Sequence, residues 1–212
     1  MNEKYVQFGC GLSCPNEWMN FDTSPTLRLQ KILLIGNIFK FFSKTKFPNN
    51  ILVGDIVKGL PLKEGSVSGL YCSHILEHLS YNELVRALKN SYKILKDGGI
   101  FRIVLPDMEF YCRNYVKSIN QSSNQYACVD FMEATLLGKK ERDKSFISFL
   151  KSFYGNSSHL WMWGYYSLSR ILLETGFRDI KKCECNDSKN KMFLKVEEKA
   201  RFTNCLSIEA IK

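Results

Sequence analysis

Short β-rich runs alternate with stretches of helical spacing along this chain, and that alternation restricts its fold more than any other feature. Lys4 to Phe8 reads as a strand running into Gly9-Cys10-Gly11 and a polar loop through Pro15. A second strand, Met19 to Phe21, stops at Asp22. Ile51-Leu52-Val53 precedes Gly54-Asp55, and Val67 to Tyr71 follows Gly65-Ser66 as another buried strand. Tyr81 to Leu95 is helical. Its apolar positions Leu84, Val85, Leu88, Tyr92 and Leu95 recur at three- and four-residue spacing, Ser80 is the N-cap with Glu83 three residues on, and Asp97-Gly98-Gly99 is expected to end it. Ile100 to Leu105 is the next strand, stopped by Pro106-Asp107, and helical spacing resumes from Met108 to Ile119. Such alternation predicts an open, mostly parallel sheet wrapped on both faces, binding ligands at its strand C-terminal ends. The second half is less regular, with helical stretches expected over Tyr126 to Leu137, Lys144 to Phe153 and Ser167 to Thr175, and short strands at Ile180 to Cys185 and Cys205 to Ala210.

At 212 residues, 45% hydrophobic and 24% charged, the chain is expected to form one globular domain over 1–212, which excludes disorder. No stretch approaches the roughly 20 apolar residues of a membrane span, and MNEKYVQFG lacks an apolar signal segment, so a cytoplasmic protein is expected. Eight scattered cysteines read as reduced thiols. The formal charge of +9 admits nucleic acid, an anionic membrane face, a phosphorylated substrate, or solubility alone. Its placement is informative. Arg28, Lys31, Lys40, Lys44 and Lys46 stand between Ser24 and Asn50 with no acid among them, interleaved with Leu27, Ile32, Ile38, Phe39, Phe41 and Phe42, so residues 25–47 form a basic amphipathic insertion.

Gly9-Cys10-Gly11 at the end of a first strand lets backbone amides approach a ligand, and Asp22 at the end of the next can accept hydrogen bonds from two vicinal ribose hydroxyls. Either feature has a plainer reading, as a tight turn and as a helix cap. The full G-x-G-x-x-G is missing, since Pro15 and Asn16 stand where a phosphate-binding helix would start. A ligand with a ribose but no pyrophosphate fits better.

The succession YVQFGCG, WMNFD, GDIVKGLPLKEGSVSGLYCSHILEHL and ILKDGGIFRIVLPDMEFYCRNY resembles the class I S-adenosylmethionine-dependent methyltransferases, in particular their type 11 branch. HLWMWGYYSLSRILLETGFRDIKKC is similar to the closing part of small bacterial members, some associated with surface-polysaccharide synthesis. The resemblance implies a Rossmann-like, doubly wound, seven-stranded sheet with an antiparallel last strand, and S-adenosylmethionine as cofactor. It implies that Gly9, Cys10 and Gly11 wrap the methionine part, that Asp22 holds the ribose, and that Asp55 and Ile56 flank the adenine. Ser73 would lie beside the sulfonium and amino group, with His74, Glu77 and His78 opening the following helix over the reaction centre. Gln7 stands where an acid is often found, and could hydrogen-bond to the amino group without neutralising it. Asp55 also reads as the start of a turn.

His74-Ile75-Leu76-Glu77-His78 also matches the H-x-x-E-H string of an inverted zinc peptidase. That chemistry needs a long helix around the motif, whereas a strand leads directly into it, so no metal is expected. Cys183-x-Cys185 has no second ligand pair at zinc-finger spacing. Trp161, Trp163, Tyr165 and Tyr166 beside His159 form either a core patch or a wall of an acceptor pocket. No Asn/Asp-Pro-Pro-Tyr motif follows the fourth strand and no Pro-Cys is present, which favours an oxygen acceptor on a small molecule or sugar. A hydroxyl needs a base; the candidates are His78 first, then His74, Asp107 and His159, with Glu77 orienting the imidazole or binding the acceptor. Rival readings are a catalytically weak cofactor-binding module, suggested by Gln7, and an RNA methyltransferase, which predicts a steep salt dependence. Nucleic acid is the minority reading, and residues 25–47 are expected to meet the inner membrane face or a phosphorylated acceptor.

Overall fold

A computed structural model describes residues 3–32, 36–141 and 158–212. Seven strands form one sheet: β1 (Tyr5–Phe8), β2 (Met19–Asp22), β3 (Ile51–Val53), β4 (Val67–Ser73), β5 (Leu95–Pro106), β6 (Arg178–Lys182) and β7 (Cys205–Ile211). Their order is β3-β2-β1-β4-β5-β7-β6. The first five are mutually parallel, and β7 runs antiparallel to both β5 and β6. The expected doubly wound, Rossmann-like sheet with an antiparallel last strand is therefore present. The helices are α1 (Pro25–Gln30), α2 (Gly36–Phe42), α3 (Tyr81–Ile94), α4 (Met108–Ser122), α5 (Ala127–Ala134) and α6 (Tyr165–Thr175).

Strand alternation sends two sets of side chains to opposite faces. Val6, Phe8, Leu70, Cys72, Ile103 and Leu105 join Leu84 and Leu88 of α3 and Leu168 and Leu172 of α6 in the main core. Their neighbours Tyr5, Tyr71 and Val104 face the other way, onto Trp18, Phe193 and Val196. The second face is thus closed partly by the irregular chain between β6 and β7, whose 3-10 turn Lys191–Lys195 buries Phe193 completely. Burial of one such side chain contributes about 1.5–3 kcal/mol, which is what keeps a segment without periodic structure in place.

Several boundaries differ from expectation. Asp97-Gly98-Gly99 does not cap α3, which ends at Ile94; the three residues are an irregular stretch inside β5, where the pairing shifts between Val67/Leu95 and Gly69/Ile100. Gly98, at φ +75°, donates its amide to the Lys212 carbonyl, and the Lys212 amide returns to Gly99. β4 runs on to Ser73, α5 is shorter than Tyr126 to Leu137, and β6 ends at Lys182, where Cys183 instead bonds to Ser207. The helix expected over Lys144 to Phe153 lies outside the described residues. In the insertion, Leu27 and Phe47 are buried with Cys10 and Ile51, while Phe41 and Phe42 are 74% and 79% exposed. No helix among the described residues is long and apolar enough to cross a membrane.

Candidate active site

The C-terminal ends of β3, β2, β1 and β4 lie side by side along one half of the sheet, and the expected cofactor residues stand at or just beyond them. Gly9 and Gly11 both have left-handed backbone, at φ +65° and +56°. A Cβ on Gly9 would stand 2.0 Å from Ile75 Cδ1, so the loop lies directly against the turn that follows β4. Burial pushes the Cys10 thiol up to about 12, with Asp22 adding to the effect, so this residue offers the site its backbone rather than a nucleophile. The Asp22 carboxylate accepts the Gly11 amide at 2.9 Å and the Ser24 amide at 2.8 Å. Ser24, not Asp22, caps α1 through its hydroxyl and the Leu27 amide. Gln7 spends both amide hydrogens, on the Ser13 carbonyl at 2.7 Å and on Asn20 Oδ1 at 2.6 Å, and keeps Oε1 as an acceptor. Asp55 opens a turn by accepting the Val57 amide at 3.0 Å, and Ile56 is buried in the main core.

One residue of this site was invisible in the sequence. Arg201, on the 3-10 turn Lys199–Phe202, donates from Nε to the Ser73 hydroxyl and from Nη2 to the Ser73 carbonyl, each at 2.8 Å. Nη1 has no hydrogen-bond partner among the described residues. With Gln7, Phe8, Gly9, Ser13, Tyr71 and Val196 the guanidinium lines a narrow crevice. Lys199-Ala200-Arg201 reads in sequence as a solvated basic run, and no spacing ties it to Ser73, 128 residues away. A roomier depression between the loop after β3 and the end of α3, lined by Leu60, Pro61, Asn90 and Lys93, shares no residue with the crevice.

The histidines do not open α3, contrary to expectation. Ser80 starts that helix with a capping box to Glu83, and Glu77 and His78 lie before it in the 3-10 turn Leu76–His78, after which Leu79 is extended. His74, at φ +57°, precedes the turn. No long helix surrounds H-x-x-E-H, which removes the inverted zinc peptidase reading. His74 Nε2 donates to the Arg201 carbonyl at 3.0 Å, and Nδ1 lies 3.4 Å from Glu77 Oε1 at an ion-pair distance without hydrogen-bond alignment. The Cys205 sulfur, 3.7 Å from Nε2, and then Glu77 push the His74 pKa up to about 10.

Glu77 is fully buried, and neither of its carboxylate oxygens has a hydrogen-bond partner among the described residues. Its carbonyl accepts the amides of Leu160 and Trp161 at 2.8 and 3.2 Å, which brings His159 over His78 with ring centroids 5.0 Å apart. His78 Nδ1 donates to the Ser158 carbonyl at 3.1 Å, leaving Nε2 with its lone pair. Burial lowers the His159 pKa. Glu77, His78 and His159 are thus brought together. Asp107 is not part of this group; its carboxylate caps α4 through the Glu109 amide at 2.9 Å. The aromatic cluster divides, with Trp163 buried in the core and Trp161 half exposed against Tyr81.

Residues 6–103 match the family model of the type 11 methyltransferase domain. Over these residues the chain is a type 11 methyltransferase domain. It is an S-adenosylmethionine-dependent methyltransferase, and S-adenosylmethionine is its cofactor. Among solved structures it is similar to a Thermotoga maritima S-adenosylmethionine-dependent methyltransferase described as a possible histamine N-methyltransferase. That match has 19% identity and a TM-score of 0.52, over 100% of this chain and 83% of that one. The citrinin polyketide synthase CMeT domain matches at 16% identity and a TM-score of 0.50, over 99% of this chain and 46% of the other. These likenesses show the methyltransferase fold. No curated protein matches the chain.

Proposed function

We propose that this methyltransferase acts on an oxygen of a small molecule or sugar. Glu77, His78 and His159 carry the reading, because a hydroxyl, unlike a thioether or a carbanion, must lose a proton as it is methylated. S-adenosylmethionine supplies an electrophilic methyl group; the electrons of the breaking carbon–sulfur bond stay on sulfur, leaving S-adenosylhomocysteine. The residues present fit that cofactor. The left-handed turn at Gly9 and Gly11 leaves a crevice for its methionine part, Asp22 retains lone pairs for the ribose hydroxyls, and Gln7 Oε1 meets no donor among the described residues. Asp55 and Ile56 take the adenine side, and Ser73 the amino group. Arg201 is the cation for the carboxylate. His78 Nε2 takes the acceptor proton, and Trp161 offers a half-exposed ring for the acceptor.

Labelled cofactor supplied with a panel of saccharides, lipid-linked sugars, phenols and RNA tests the reading. Label should enter a hydroxyl-bearing small molecule, and His78→Ala should lower turnover about 10²–10⁴-fold, the usual weight of a general base. Label in RNA but in none of the small molecules would overturn it.

The insertion over 25–47 is assigned to an anionic membrane face. Phe41 and Phe42 project from α2 with Ile38 also exposed, and Lys40, Lys44 and Lys46 supply charge beside them. The protein should sediment with vesicles containing phosphatidylserine and not with neutral ones. Phe41→Ser with Phe42→Ser should reduce that binding roughly tenfold or more, two apolar side chains withdrawn from the interface. Unchanged sedimentation of the double variant would return the charge to solubility.

A further inference from the structure

We propose that Glu77, His78 and His159 form a binding site for a divalent first-row transition-metal ion, of the zinc, cobalt or manganese class. One ligand atom from each lies within 4.8 Å of the other two. Bound zinc holds nitrogen and oxygen ligands at about 2.0–2.2 Å, so tetrahedral neighbours stand roughly 3.4 Å apart, and closing on an ion asks each side chain to move by roughly 1 Å. The independent sign is Glu77. Among the described residues both carboxylate oxygens are buried without a hydrogen-bond partner, an arrangement that a bound cation would complete, and His74 meets only one edge, at 3.4 Å without alignment. His159 Nδ1 is likewise buried without a hydrogen-bond partner among the described residues.

The surrounding contacts are those of a supported metal centre. His78 is fixed by its Nδ1 on the Ser158 carbonyl with Nε2 left to coordinate, and His74, anchored by Nε2 on the Arg201 carbonyl, backs Glu77 from outside. Two imidazoles and one carboxylate suit zinc, cobalt or manganese better than calcium or magnesium, which prefer all-oxygen sets. The metal pair is not the His74/His78 pair of the H-x-x-E-H string. His159, 81 residues beyond His78, takes the second imidazole position, because His74 is held on Arg201. Three protein ligands leave an open position, where an acceptor hydroxyl would be bound and acidified, its proton passing to solvent; in the loaded protein His78 Nε2 is a ligand, and the ion takes over from it the task of deprotonating the acceptor. That last role rests on the oxygen-acceptor reading; the ion site does not.

Equilibrium dialysis of the chelator-treated full chain against zinc chloride, without cofactor or acceptor, tests the site, and cobalt absorption reports its ligands. The expected result is one zinc per chain, a visible cobalt spectrum displaced by zinc, and at least a tenfold weaker affinity in Glu77→Gln and in His159→Asn. Glu77→Gln keeps the side-chain volume and removes a buried charge, so it should fold at least as well without metal; its circular dichroism and melting point establish this. Absence of saturable zinc binding by the wild type would overturn the site, and so would equal affinity in both variants. Neither result touches the methyltransferase reading, which S-adenosylhomocysteine binding tests separately.

Discussion

Arg201→Met should weaken S-adenosylhomocysteine binding roughly ten- to a hundredfold and leave 5′-methylthioadenosine binding within about twofold, both measured by titration calorimetry. The two ligands share adenine, ribose and thioether, and differ in the amino-carboxylate arm. A charge-assisted hydrogen bond contributes about 1.5–3 kcal/mol, and each 1.4 kcal/mol is about a factor of ten, which sets the expected loss. The guanidinium is already oriented by two 2.8 Å bonds to Ser73, so little conformational freedom is lost when a carboxylate arrives at Nη1. Methionine keeps the aliphatic stem and removes the charge. Asp22→Ala supplies the contrast, since it should weaken both ligands alike by removing the ribose acceptor. An equal loss for both ligands in Arg201→Met would make Arg201 a packing residue. Wild-type protein that bound neither would remove the cofactor site itself.

The sheet was legible because β1 to β5 are short apolar runs bounded by glycine, aspartate or proline, and such patterns are local. Gly9, Gly11 and Asp22 were legible for the same reason, each standing at a strand end. The start of β5 was not. Asp97-Gly98-Gly99 has the composition of a helix C-cap, and what makes it strand is Lys212 at the far end of β7, a contact no window of sequence contains. Glu77 and His78 were visible as a string, yet their placement in a 3-10 turn depends on Leu79 being extended before the Ser80 cap. His159 could be suspected as a base from its aromatic neighbours, but its meeting with Glu77 is made by backbone amides of Leu160 and Trp161. Arg201 had no signal at all. The chain from Cys183 to Phe202 carries neither a period of 2 nor one of 3.6, and is held by long-range burial of Phe193 and by Arg102.

Arg102→Met should destabilise the protein by about 3–5 kcal/mol, the usual consequence of removing one partner from a buried ion network. Arg102 is 1% exposed on β5 and donates to Glu197 at 2.5 Å, Glu209 at 2.7 Å, the Glu184 carbonyl at 2.7 Å and Asp187 at 2.9 Å. Without it Glu197 and Glu209 remain buried with, among the described residues, only Lys181, on Glu209, as a cation. For a chain of this size the loss corresponds to a fall in Tm of roughly 6–20 °C. The deficit should depend on pH. Burial pushes the Glu197 carboxyl up, with the Asn186 amide and Arg102 pulling against it. Burial would raise Glu209 too, but its bonds to Arg102 and Lys181 overcome this and hold it low. In the wild type the Glu209 contribution is therefore full above the ordinary glutamate pKa and lost as pH falls through the lowered value. In the variant both carboxyls rise above the ordinary value, so the folded state binds the extra protons and the penalty eases as pH falls through the raised values. The Tm gap between variant and wild type, read by calorimetry at pH 7.5 and 5.5, should be smaller at 5.5. Adding Glu197→Gln and Glu209→Gln to the variant should recover much of the loss, because the cost lies in two uncompensated charges rather than in a missing contact. A gap that widened at low pH, or a triple variant no more stable than Arg102→Met, would refute that cause. Glu197 lies four residues before Arg201 and its carboxylate also accepts the Asn186 amide. The single variant should therefore bind S-adenosylhomocysteine more weakly even where it is fully folded, and the triple variant should show how much of that loss is electrostatic.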